Sequence, residues 1–112
     1  MKVVPPEELI RHIVEAAQDA RRFTEGMSKQ NFLADRRTQQ AVVFSLVIVG
    51  EAATRLMDQY PEFVAERDFI PWRNMRGMRN RIAHGYFQID MEVVWKTVQD
   101  SIPELLQGLG ER

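Results

Sequence analysis

A chain of 112 residues, 45% apolar and 28% charged, has the composition of an ordinary globular protein and the length of one domain, residues 1–112. It has no Cys, which excludes disulfides and thiolate metal sites, and only two His, so no metal cage is evident. A net charge of −1 excludes a general attraction to nucleic acid and moves attention to how the charges are distributed.

The start, Met1-Lys2-Val3-Val4-Pro5-Pro6, lacks the apolar core of an export signal. The first helix is expected to begin near Pro5 or Pro6, with Glu7 and Glu8 in the first turn, where negative charge suits the helix dipole. Leu9, Ile13, Ala16 or Ala17, Ala20 and Phe23 make its apolar stripe, and Gly26 is the expected end. Residues 31–36 read as a connection or a fraying helix start. The second helix is expected over residues 35–58. Its middle, residues 41–49, is apolar all round apart from Ser45, so it must be covered on every side, by other helices or by a partner subunit. That run is well short of the ~20 residues that span a bilayer, and a cytoplasmic protein with no membrane association is expected. Gly50, Ala52 and Ala53 would let another helix approach closely.

Pro61 and Pro71 bracket a short turn of helix. The third helix starts near Pro71, buries Met75, Met78 and Ile82, and stops at Gly85. The fourth follows Asp90 as N-cap and turns Val94, Trp95, Val98, Ile102, Leu105 and Leu109 inward, with Pro103 expected to kink or restart it. Trp72 and Trp95 read as core or interface aromatics. No strand pattern of useful length occurs. The fold class is all-α, an antiparallel bundle of four to five helices with short connections.

Residues 69–89 contain no Asp or Glu, yet hold Arg73, Arg76, Arg79 and Arg81. An all-Arg cluster in an otherwise acidic chain points to an anion site. On the third helix Arg73, Arg76, Asn80 and His84 follow at spacings of three, four and four and share a stripe, with Arg79 on its flank. Tyr86 lies just past the helix. These residue types suit phosphodiester chemistry. Arg offers a planar fork to a phosphate at any physiological pH, and His exchanges a proton near neutrality. Attack of an RNA 2′-hydroxyl on its own phosphate needs a base, an acid and charge stabilisation, and no metal. One His per site is too few for both proton transfers. A two-fold dimer would bring two copies of His84 and Arg79 to one cleft.

The run Arg79-Asn80-Arg81-Ile82-Ala83-His84-Gly85-Tyr86 resembles the Arg-x4-His-x-Tyr signature of HepT-like proteins, the toxin branch of the HEPN ribonuclease superfamily. The likeness extends to Val49-Gly50-Glu51-Ala52-Ala53, to residues 71–80, and to Asp90, Trp95 and Pro103. The resemblance implies helical-bundle homodimers with the motif at the dimer cleft, acting as metal-independent endoribonucleases of type VII-like toxin–antitoxin pairs without a cofactor. It implies Arg79 and His84 as catalytic residues, with Asn80 as the polar residue between them. Arg73, Arg76 and Arg81 are the expected RNA phosphate contacts. The implied partner is an MNT-type nucleotidyltransferase antitoxin, which in some pairs transfers AMP from ATP onto the motif tyrosine, here Tyr86. Glu51 resembles a recurrent acidic position without a defined role.

Competing readings stand beside these. His84 could serve only the helix dipole. Arg79 could form an intersubunit salt bridge, with Glu51 as its partner, and Tyr86 could merely anchor the helix end. His12 reads as a surface residue. As a whole the chain could be an inert helical partner of a nucleotidyltransferase.

Overall fold

Two prolines and two glutamates open the first helix. In the computed structural model, which describes residues 3–110, α1 spans Pro6–Phe23. Glu7 and Glu8 occupy its first turn and Arg21 and Arg22 its last, each sign facing the favourable dipole end. Leu9, Ile13, Ala16, Ala17 and Ala20 are buried. Phe23 is not part of that stripe and stands 45% exposed. Thr24, four residues after Ala20, takes the inward position, and its hydroxyl donates to the carbonyls of Ala20 and Arg21. Gly26, with φ of 77°, then turns the chain.

The expected connection contains a helix. Ser28 caps α2, Lys29–Leu33, by accepting the Asn31 N–H at 3.1 Å. Phe32 is fully buried there, its ring 5.4 Å from that of Trp95. α3 spans Arg36–Gln59 and has Asp35 as N-cap. The Asp35 carboxylate accepts from the Thr38 N–H at 3.1 Å and the Thr38 hydroxyl at 2.8 Å. Those two donors hold its pKa below the ordinary carboxylate value. By length and composition α3 is apolar enough to cross a membrane, but it is the central helix of the bundle, lying along α1 and α5. Its buried residues are Val42, Ser45, Leu46, Val49, Gly50, Ala52, Ala53 and Leu56. The expectation that every side is covered is not met within one chain, for Phe44 is 67% exposed.

Tyr60 closes α3, and Pro61 starts α4, Pro61–Ala65. The Tyr60 hydroxyl donates to the Val4 carbonyl at 2.6 Å and ties the N-terminal segment to this corner. α5 spans Trp72–Gly85, with Pro71 just outside it. Trp72 is buried, and its indole N–H donates to the Arg67 carbonyl at 3.0 Å. Met75 and Ile82 are buried, whereas Met78 is only partly covered. Gly85 ends the helix as expected, and residues Tyr86–Gln88 continue as one 3₁₀ turn.

Asp90 accepts the Glu92 and Val93 N–H groups at the start of α6, Met91–Lys96. The chain passes through a π turn, Thr97–Ser101, into α7, Ile102–Gly108, which opens with Pro103 in its first turn, where a kink or restart was expected. Its missing N–H and its ring are accommodated just after the wider turn, in which the Ile102 N–H donates to the Thr97 carbonyl. Val94, Val98, Ile102, Leu105 and Leu106 point inward, and Trp95 and Leu109 are partly buried against them. No strand occurs among the described residues, and the buried side chains form one cluster. The all-helical bundle read from the sequence is the observed fold.

Candidate active site

The site begins with an absent side chain. A Cβ on Gly50 would lie 2.3 Å from the Arg79 Cβ and 2.8 Å from the Met75 carbonyl oxygen. Only hydrogen fits, so α5 lies directly on α3 at this point. The close approach carries the Arg79 guanidinium across the α3 surface. Its Nη1 donates to Glu51 Oε1 at 2.9 Å and its Nη2 to Thr54 Oγ1 at 3.1 Å. The Thr54 hydroxyl itself donates to the Gly50 carbonyl at 2.8 Å, which leaves its oxygen free to accept. One turn earlier on α5, Arg76 reaches Asp58 Oδ1 at 2.6 Å and the Thr54 carbonyl at 3.4 Å. The Nε atoms of both arginines are buried without partners.

Both ion pairs are partly wet. The Arg79 side chain is 23% exposed and the Glu51 side chain 50%. Pairs of this kind contribute about 0–1 kcal/mol to stability. Their main effect is positional, since two acceptors fix the plane of the Arg79 fork.

Asn80 and His84, four residues apart, are both exposed on α5. His84 lies in the last turn of the helix, ahead of Gly85. Arg73 and Arg81 are exposed as well. Tyr86 and Phe87 stand out from the 3₁₀ turn, 62% and 90% exposed, with ring centroids 4.6 Å apart. Tyr86 therefore does not anchor the helix end by packing into the core. Among the described residues no group of three or more His, Asp or Glu is placed to hold a metal ion.

The structure thus gathers Arg76 and Arg79 with Glu51, Thr54 and Asp58, and sets Asn80 and His84 on an outer face. Arg76 leaves the stripe drawn from its spacing because Asp58 takes its guanidinium. Arg79 and His84 are five residues apart, about 140° on a helix, so a single α5 does not aim both at one point. The partnership of Arg79 with Glu51 lies within the chain, not between subunits. Thr54 and Asp58 were not singled out from the sequence. Their signal was available in the close approach at Gly50, because an antiparallel α5 crossing there puts residues 76 and 79 opposite residues 51–58.

Comparison with known proteins gives one consistent answer. The family model described as HepT-like, ribonuclease HepT-like, matches residues 13–111. A protein of Thermococcus cleftensis named "probable ribonuclease HepT" is 37% identical over 99 residues, covering 88% of this chain and 87% of its own length. A protein of Methanocaldococcus jannaschii, named as a "putative RNase", is 33% identical over 99 residues, 88% of this chain and 79% of its own. One of Caldanaerobacter subterraneus subsp. tengcongensis, named in the same way, is 31% identical over 106 residues, 95% and 92%. No solved structure matches.

Proposed function

Because the chain belongs to the HepT-like ribonuclease family, we propose that it is a metal-independent endoribonuclease, the toxin of a type VII-like toxin–antitoxin pair. Arg79, His84 and Asn80 carry the cleavage, at a cleft between two copies of the chain in the cytoplasm. The observation that carries this reading is the division of α5. Arg79 is clamped against α3 by Glu51 and Thr54, while Asn80, the next residue, and His84, four residues beyond it, face solvent. A second copy across the exposed face would set its own His84 and Arg79 opposite these. Phe44, uncovered on α3, supports such a partner.

In the reaction, one His84 imidazole takes the proton of the ribose 2′-hydroxyl. The 2′-oxygen bonds to the adjacent phosphorus. The 5′-oxygen leaves and takes a proton from the partner's His84, giving a 2′,3′-cyclic phosphate and a free 5′-hydroxyl. Arg79 bears the charge that grows on the non-bridging oxygens, and Asn80 donates to the phosphate or holds the ring of His84. Arg73, Arg76 and Arg81 would meet flanking phosphates, Arg76 only by sharing or leaving Asp58. The partner is an MNT-type nucleotidyltransferase that silences the toxin by transferring AMP to Tyr86. The exposure of that phenol supports its modification.

Expression of the chain without its partner tests the reading. Growth arrest, relieved by Arg79→Ala or His84→Ala in variants that keep helical content and melting temperature, is expected. Equal toxicity from those variants overturns the site assignment. Activity that survives a chelator supports metal independence. Mixed dimers with one His84→Ala subunit should lose activity, and full activity from one intact subunit would refute the shared site. A mass increase in multiples of AMP at Tyr86, after co-expression with the nucleotidyltransferase, is expected.

One observation favours a second reading. The guanidiniums of Arg76 and Arg79 are each paired with a carboxylate inside the chain, as they would be in an inert helical partner of a nucleotidyltransferase. Purified chain that binds the nucleotidyltransferase yet cuts no RNA would establish that alternative.

A further inference from the structure

Phe87 is the most exposed large apolar side chain among those described, at 90%, and it follows His84 by three residues. Its position is held from both sides. Ile82, before it, is buried at the end of α5, and Ile89, after it, packs against the core. The 3₁₀ turn between them, Tyr86–Gln88, buries none of its residues. The turn therefore fixes its backbone to the bundle while presenting two rings outward. Those rings lie 4.6 Å apart and are tilted by 43°, and both remain largely exposed. Around them the sequence is free of carboxylates from residue 69 to residue 89, and Arg81, Asn80 and His84 are exposed on the adjoining helix.

We propose that Phe87 is a stacking platform for a base of single-stranded RNA, seating the nucleotide beside the phosphate that His84 addresses. The inference rests on the ribonuclease reading above and adds a contact that reads a base and not the backbone. An aromatic ring next to cationic and amide donors, with the nearest following acid, Asp90, engaged by the Glu92 and Val93 N–H groups, has the make-up of a single-strand site, where every base offers a π face and the groove supplies the charge. An aliphatic docking patch would be expected to carry Leu, Ile or Val around the ring. Here the neighbours in sequence are Gly85, Tyr86, Gln88 and Ile89, and the one aliphatic among them, Ile89, packs against the core. Three residues reach at most about 11 Å, so the base on Phe87 and the phosphate at His84 belong to the same short stretch of RNA.

Fluorescence anisotropy of the full-length chain tests this with two labelled probes. One is a single-stranded oligoribonucleotide with 2′-O-methyl sugars, which cannot be cut by attack of its own 2′-oxygen. The other is an abasic strand of equal length with the same 2′-O-methyl sugars. Phe87→Ala should weaken binding of the first roughly tenfold and leave the second unchanged, and Phe87→Trp should restore it. Equal loss on both strands, or no loss on either, overturns the proposal. So does a change of sedimentation coefficient in Phe87→Ala, which would make the ring a contact between copies of the chain. Failure of the wild type to bind either strand also refutes it. If the wild type binds through Phe87 but cuts no unmodified RNA, the nuclease reading falls and the stacking platform stands.

Discussion

Gly50→Ala should destabilise the protein, although the same change in most helices stabilises it. Ala in place of Gly within a helix gains about 0.5–1 kcal/mol of propensity. Against this, the new methyl would sit 2.3 Å from the Arg79 Cβ and 2.8 Å from a backbone oxygen of α5. Neither atom is the free end of a flexible side chain, so the whole of α5 must move outward. Overpacking of this kind costs about 1–3 kcal/mol, which leaves a net loss of roughly 0–2.5 kcal/mol. A loss in the middle of that range lowers the melting temperature by about 4–8 °C in a domain of this size. Gly77→Ala is the internal control. Its new methyl would meet only the tip of the Arg81 side chain, at an ordinary 3.5 Å. There the propensity gain of about 0.5–1 kcal/mol should stand alone. Urea and thermal unfolding, followed by circular dichroism on both variants, give the comparison. Displacement of α5 should also lengthen the Arg79–Glu51 contact and reduce RNA cleavage in the Gly50→Ala variant. A Gly50→Ala protein as stable as Gly77→Ala would refute the close approach as the device that places Arg79.

Three further outcomes can be checked. Phe32→Ala, which empties a fully buried site against Trp95, should cost about 3–5 kcal/mol in urea unfolding. Asp35→Ala should lower the melting temperature at neutral pH. Because the folded pKa of Asp35 lies below its unfolded value, the contribution of this cap is present above the unfolded pKa and is lost as pH falls through the folded one. The two melting curves should therefore converge in acid, and a constant gap across the pH range would contradict the assignment. Glu51→Ala should leave stability within about 1 kcal/mol of wild type, since its pair with Arg79 is half in water. It should lower kcat for RNA cleavage roughly ten- to a hundredfold by freeing the Arg79 fork, with Glu51→Gln recovering part of the loss.

Much of the scaffold was legible because its signals are local. Asp35 and Asp90 cap the helices they precede, Pro61 and Gly85 stop theirs, and the inward faces of α1 and α3 repeat at helical spacing. What escaped depends on contacts between distant segments. α2 has five residues, too few to show a period, and is held by Phe32 against Trp95, which comes 63 residues later. Phe23 fits the α1 stripe on a wheel, but the helix ends there and Thr24 occupies the inward place. The same division runs through the site. The run from Arg79 to Tyr86 could be recognised by its spacing. Its clamp on Glu51 and Thr54 spans 28 and 25 residues and exists only because α5 crosses α3 at Gly50. Exposure, as of Phe87, is likewise a property of the packed bundle and not of the residue.

The π turn between α6 and α7 gives the last helix slack in its length. A π turn holds more residues per revolution than an α turn, so it stores roughly one residue beyond what a regular helix of the same rise would need. Losing one residue from Thr97–Ser101 would convert the segment to plain α-helix and keep Ile102, Leu105 and Leu106 in phase with Val94, but it would also leave Pro103 in the interior of a regular helix, where its ring meets the carbonyl four residues earlier. A deletion at Met91 or Val94 has no such reserve and would rotate every later side chain by about 100°. Loss of one residue between residues 97 and 101 should therefore be tolerated when Pro103 is replaced by Ala in the same chain, leaving the Asp90 cap and the turn that carries Tyr86 undisturbed.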